Sequence, residues 1–147
     1  MTEASIGKVL ALYISEKGKS SRIHQEKIIC NTNGILHDKF YAKDISRSIL
    51  ITSQESYRLL QDKGIEVAYG LLGENILTDF NPYHLPHKTK LKIGNAILEI
   101  TQNCTICNHL SVIDKRVPAL LKEDRGIFAK VIQNGTIQRG DSVEKLK

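Results

Sequence analysis

Residues 90–101 read KLKIGNAILEIT. The runs 90–93 and 96–101 read as strands, and Gly94-Asn95 between them is a two-residue hairpin signal. The same grammar continues on both sides. Downstream, residues 127–133, the pair Asn134-Gly135 and residues 136–138 predict a second hairpin. Gly140-Asp141 then predicts a turn before a terminal strand. Upstream, residues 76–78 form a strand that ends at Asn81-Pro82, and residues 48–52 form another. Residues 27–30 are a short strand closed by the turn Asn31-Thr32-Asn33-Gly34. Residues 6–14 are apolar on both faces, as in a buried strand. Residues 17–21 form a polar loop.

Two segments break this rhythm. Ser53 has the character of a helix N-cap: Glu55 sits early in the turn, and Tyr57, Leu59 and Leu60 follow up to a stop at Gly64. Residues 110–121 carry Val112, Ile113, Val117 and Leu120 near helical spacing, and Pro118 must kink or restart that helix. Many short strands, two isolated helices and no βαβ alternation predict a mainly β protein, a closed or nearly closed β-barrel with a few short helices. Residues 1–147 read as one domain, without repeats, linkers, a Walker loop or a Gly-x-Gly-x-x-Gly fingerprint.

Composition narrows the function. The chain has 147 residues, 41% of them apolar and 25% charged, which is ordinary for a globular domain. No run approaches the roughly 18 apolar residues of a membrane helix. Residues 9–14 are too short for a signal-peptide core. A cytoplasmic protein without a membrane role is expected. The formal charge of +5 favours anionic partners. Trp is absent and aromatics are 5%, which argues against a basic nucleic-acid-binding barrel. Cys30, Cys104 and Cys107 are too few, and odd in number, for a disulfide framework. They are packing residues, ligands or catalysts.

The densest chemistry lies in Asn103-Cys104-Thr105-Ile106-Cys107-Asn108-His109, after a strand and before a helical segment. A thiol there can feel the positive end of a helix dipole, which favours the thiolate. The bland alternative is that Cys104 and Cys107 are small packing residues. A further alternative combines the HxxH pair His84 and His87 with the CxxC pair Cys104 and Cys107 as a zinc-stabilised structural module.

Several elements, in order, resemble the MOSC domain, named after the C-terminal domain of molybdenum cofactor sulfurases. They are the opening Gly7-Lys8-Val9, then Gly34-Ile35-Leu36-His37-Asp38, then the Arg47-led segment to Glu55. Leu72-Gly73-Glu74-Asn75-Ile76 follows, then Lys92-Ile93-Gly94 with Leu98-Glu99-Ile100-Thr101, and finally Phe128-Ala129-Lys130-Val131 with Gly135 and Gly140-Asp141. Cys107 with Leu110 fits the register of the family cysteine. Cys104 stands where the family often has a basic residue, and His37 where it usually has Gly.

The resemblance implies a barrel whose cysteine, Cys107, carries sulfur or faces a molybdenum cofactor (molybdopterin). No cofactor is expected to be required for folding. A cysteine desulfurase or other sulfur donor would be its partner, because the chain has no room for a desulfurase domain of its own. An oxotransferase role, with Cys107 as a molybdenum ligand, stays open. The pterin's phosphate calls for cations, and Arg47, Arg125 and Lys130 are the candidates. Glu74 and Asn75 are candidates for the cofactor site. Their alternative role is to hold a loop by side-chain-to-backbone hydrogen bonds. Asp38 and Asp141 read as turn formers.

Overall fold

The computed structural model describes residues 4–18, 22–104, 113–122 and 125–146. Among these residues the strands are β1 (Ala4–Ser15), β2 (Arg22–Gln25), β3 (Lys27–Asn31), β4 (Gly34–Ile35), β5 (Ile49–Ser53), β6 (Ile76–Thr78), β7 (Lys90–Ile93), β8 (Ala96–Asn103), β9 (Ile127–Gln133), β10 (Gly135–Gln138) and β11 (Ser142–Lys145). The helices are α1 (Gln54–Gln61) and α2 (Val117–Leu120), with a 3-10 turn over Ile45–Arg47. No described helix is long and apolar enough to cross a membrane.

The large sheet runs β11-β7-β8-β9-β5-β6-β1-β2, and β11 also pairs with β1. Seven of these strands therefore close a barrel, with β2 attached outside the ring. The neighbours are antiparallel except β5 and β6, which run parallel. Ile49, Ile51, Ile76, Leu91, Ile93, Leu98, Ile100, Ala129 and Val143 belong to one buried cluster. Such an interior is a packed core and not a channel.

β1 buries both faces, and the period of two shows where each face goes. Leu12 and Ile14 join the barrel core, while Ala11 and Tyr13 join a second cluster with Tyr57 and Leu60 of α1. That is why residues 6–14 show no polar alternation. The Ser53 hydroxyl accepts the Glu55 N–H at 2.8 Å and starts α1 as the cap expected from sequence. In the second helical segment, Val117–Leu120 is helical and residues 110–112 lie outside the described residues. Pro118 sits in the first turn, where its missing N–H breaks no helical bond.

The β7–β8 hairpin forms as read, with Ile93 opposite Ala96 and Gly94 at φ 60°. The second expected hairpin does not form. β9 pairs with β8 and β5, whereas β10 leaves to pair with β3 in a separate sheet, β10-β3-β4. Gly135 is not a positive-φ turn residue. It is small because a Cβ there would lie 2.5 Å from the Ala96 nitrogen and the Asn95 carbonyl carbon. The β7–β8 turn is laid directly on the start of β10, and the Asn95 side chain accepts the Thr136 N–H at 2.7 Å.

Candidate functional site

Along β5, Ile49 and Ile51 point into the barrel, so Leu50 faces outward; on β9, Ile127 and Ala129 point inward and Phe128 outward. Leu50 and Phe128 are cross-strand partners. They floor a cavity of about 340 Å³ on the outside of the barrel wall. Arg22 of β2, Arg47, Asn75, Cys104 and Arg125 line it, with Phe40 and Lys43 from the loop after β4. Its size falls at the lower end of ordinary small-molecule sites.

The cavity thus brings together four residues singled out from sequence: Arg47, Asn75, Cys104 and Arg125. The guanidinium carbon of Arg47 lies over the Phe128 ring, 4.6 Å from its centroid. Arg125 is 3% exposed. Its Nε and Nη1 have no hydrogen-bond partner among the described residues, nor has the buried Nη1 of Arg22. Burial presses the Arg22 pKa below the usual guanidinium value, and the like charge of Arg125 adds to this; Asp38 and Glu74 push the other way.

Gly126 sets Arg125 in place. Its φ is 127°, and a Cβ would lie 2.6 Å from the Ile51 carbonyl oxygen, so only Gly lets this segment lie against β5. The Gly126 carbonyl then accepts the Cys104 N–H at 2.9 Å. One glycine therefore fixes both the buried guanidinium and the backbone of the buried cysteine.

Glu74 lies behind the wall and not in it. Its carboxylate accepts the Tyr57 O–H at 2.6 Å and the Gly70 N–H at 3.0 Å. The Tyr57 oxygen in turn accepts the N–H groups of Gly70 and Leu72. Burial raises the Glu74 pKa, and burial beside Glu74 raises that of Tyr57. Asn75 bridges two strands: its Oδ1 accepts the Leu50 N–H at 3.0 Å and its Nδ2 donates to the Tyr13 carbonyl at 3.2 Å. The Gly-Glu-Asn run is the bracket that holds the cavity wall.

Other candidates lie elsewhere. Lys130 is outside the lining, its Nζ 3.6 Å from Glu99. His84 and His87 are exposed, Cys104 is buried, and among the described residues no group of three His, Cys, Asp or Glu is placed to hold a metal. Cys107 lies outside the described residues. Cys30 is buried in the core, and burial pushes its thiol up to about 12. It is a packing residue. Asp38 and Asp141 form turns: Asp38 accepts the Phe40 N–H at 3.2 Å, and Asp141 accepts the Gln138 N–H at 2.7 Å; Asp38 also ties the turn to the end of β1 through the Ser15 N–H at 2.7 Å.

Sequence reasoning missed Arg22, Lys43 and Gly126. Arg22 stands in a strand with no apolar alternation, so only its charge marked it.

The loop that carries Phe40 and Lys43 is strained. His37 has φ 72° and Ala42 φ 60°, in the left-handed region that costs a non-glycine residue about 1–2 kcal/mol. His37 thus keeps a glycine conformation at the position where Gly was the expected residue. Both side chains are exposed. His37→Gly is expected to raise stability by about 0.5–1 kcal/mol, the relief of strain less the added chain entropy of glycine. The urea midpoint measures this, and a lower midpoint contradicts it.

A family model described as the MOSC domain matches residues 37–144. No curated protein sequence matches the chain. Solved structures do. The YuaD protein from Bacillus subtilis superposes with a TM-score of 0.85 at 16% identity, over 98% of this chain and 97% of that one. YiiM from Escherichia coli gives 0.72 at 17% identity, over 95% of this chain and 70% of that one. YiiM from Geobacillus stearothermophilus gives 0.71 at 12% identity, over 99% and 76%. At these identities the likeness is one of fold.

Proposed function

The chain belongs to the MOSC domain family, and on that premise we propose that it binds the phosphate-bearing pterin of a molybdenum cofactor in the outer cavity and handles sulfur through Cys107. One observation carries this reading. Arg125 is buried, with N–H donors that have no partner among the described residues, in the wall that also holds Cys104.

The donor set suits such a ligand. Guanidinium forks match phosphate oxygens two at a time. Arg47, backed by Phe128, and the exposed ring of Phe40 offer flat faces to a planar heterocycle. A thiol is a soft donor suited to sulfur and molybdenum chemistry. When bound, the cofactor would supply the metal for oxygen- or sulfur-atom transfer.

Cys107, close in sequence to Cys104, is the proposed sulfur-handling residue. Its thiolate attacks the outer sulfur of a donor persulfide; the donor S–S bond breaks, the donor leaves as thiolate, and a new S–S bond forms on Cys107. The sulfane sulfur keeps its oxidation level, so no further oxidant is needed. A separate cysteine desulfurase would be the donor.

Two measurements test the two halves. Protein purified from cells that make the cofactor is assayed for molybdenum and pterin. Stoichiometric pterin, lost in Arg125→Met, is expected; its absence from folded wild-type protein overturns the binding half. Intact mass after incubation with a desulfurase and cysteine should show added sulfur atoms in the wild type and in Cys104→Ser, but not in Cys107→Ser. Sulfur retained by Cys107→Ser and lost by Cys104→Ser removes the assignment to Cys107. No added sulfur in the wild type overturns the carrier half.

A further inference from the structure

Arg22 enters the cavity from outside the barrel ring and from a stretch that the family match does not cover, since that match begins at residue 37. We infer that Arg22 and Arg125 form a two-guanidinium clamp selective for a tetrahedral dianion of the phosphate-ester or sulfate class, with Arg22 setting the preference for two charges over one. The clamp rests on the reading of this cavity as a binding site, but not on the pterin.

Hydrogen bonding supports it first. Both arginines line the cavity, and Arg22 Nη1, Arg125 Nε and Arg125 Nη1 are buried without a partner among the described residues. Unmet buried donors are costly, and those on a charged group more so. The carboxylates whose charge reaches Arg22 are committed elsewhere. Asp38 accepts from the Ser15 and Phe40 N–H groups, and Glu74 accepts from Tyr57 and Gly70. They supply field to Arg22, but none of these bonds satisfies its donors.

Charge supports it second. The two guanidinium groups repel, and this repulsion lowers the Arg22 pKa on top of its burial. A monoanion between them neutralises one charge, whereas a dianion neutralises both. In a partly desolvated site that difference is large. A tetrahedral oxyanion also presents enough oxygens for two planar forks at once. Such an ion fills only part of a 340 Å³ cavity, which leaves room for the rest of an ester between Phe40 and the Arg47–Phe128 stack.

The test uses the full chain and simple ions. Sulfate, inorganic phosphate and nitrate are titrated by calorimetry at matched ionic strength. The wild type should bind sulfate and phosphate at least about tenfold more tightly than nitrate. Arg22→Gln and Arg22→Met should each lose about tenfold or more in sulfate affinity while nitrate binding changes little, and Arg22→Lys should fall between. No preference for sulfate in the wild type overturns the clamp, as does unchanged sulfate affinity in a folded Arg22→Met. Should neither variant fold, phenylglyoxal labelling of the wild type decides: sulfate must protect Arg22, and labelling indifferent to sulfate overturns the proposal. Sulfate binding that depends on Arg22 in a protein that takes no pterin sinks the cofactor reading alone. Bound pterin with sulfate binding indifferent to Arg22 sinks the clamp alone.

Discussion

Glu74→Ala is expected to cost about 3 kcal/mol or more, enough to leave a domain of ordinary stability partly unfolded. The carboxylate is fully buried and takes hydrogen bonds from the Tyr57 hydroxyl and the Gly70 N–H. Alanine removes the acceptor and strands the Tyr57 hydroxyl out of reach of water, while the Gly70 N–H keeps only its 3.0 Å bond to the Tyr57 oxygen. The substitution also opens a cavity the size of the lost side chain. Glu74→Gln keeps the volume and one carbonyl acceptor, so its cost should stay near 1 kcal/mol.

The comparison with Gln also carries a pH signature. Burial raises the folded pKa of Glu74 above its ordinary value of 4.5, so the fold favours the protonated acid. Its contribution is therefore fully present below the unfolded carboxyl pKa and is lost as pH rises through the folded value. The stability of wild type minus Glu74→Gln should fall as pH rises from that ordinary range toward neutrality. Urea titrations of both proteins at several pH values measure it. A difference that rises with pH, or an Ala variant as stable as wild type, contradicts this account.

Gly135→Val is the second large effect. A Cβ at this position meets backbone atoms of Asn95 and Ala96 at 2.5 Å, and backbone cannot move aside as a flexible side chain can. Either β10 or the β7–β8 turn must shift, which breaks the Thr136–Asn95 bond. The expected loss is about 3 kcal/mol or more, at the upper end of overpacking. Gly140→Ala is the control: its φ is 93°, but nothing lies within 4 Å of the added carbon, so only the backbone strain of about 1–2 kcal/mol applies. Thermal melts rank the two. Gly135, Asn95 and Ala96 are not among the residues that line the cavity, so Gly135→Val protein that stays folded should keep its thiol chemistry. A stable variant without that chemistry contradicts the structural role.

These glycines show what the sequence makes legible. Gly94-Asn95 and Asn134-Gly135 look alike as dipeptides, yet one is a turn and the other a point where a distant strand crosses closely. A turn is a local event and leaves a local mark. A close approach between segments some forty residues apart leaves none, because the only trace is the absence of a side chain. The same division runs through the site. Ser53 announces α1 because capping is local. The family-like order of segments led to Arg47, Asn75 and Arg125, which the cavity unites. Arg22 stayed hidden, since its burial is created by a loop and a wall that arrive from elsewhere in the chain.

The closing pair of the barrel, Ala4 opposite Lys145, has a consequence for how the protein is made. Ribosomes deliver roughly 5–20 residues per second. The first half of β1 is therefore synthesised several seconds before its partner β11 exists. During that interval β1 can find β2, through the register Leu12–Gln25 to Ser15–Arg22, and then β6 once Thr78 is made, but Ala4 to Lys8, the stretch that pairs with β11, stays open. Ring closure by such distant segments belongs to the slow class of folding events. Arg22 and Arg125, which share one cavity, are delivered at opposite ends of the same wait. Anion affinity would therefore appear only as the barrel completes, making ligand capture a late reporter of maturation in newly made chains.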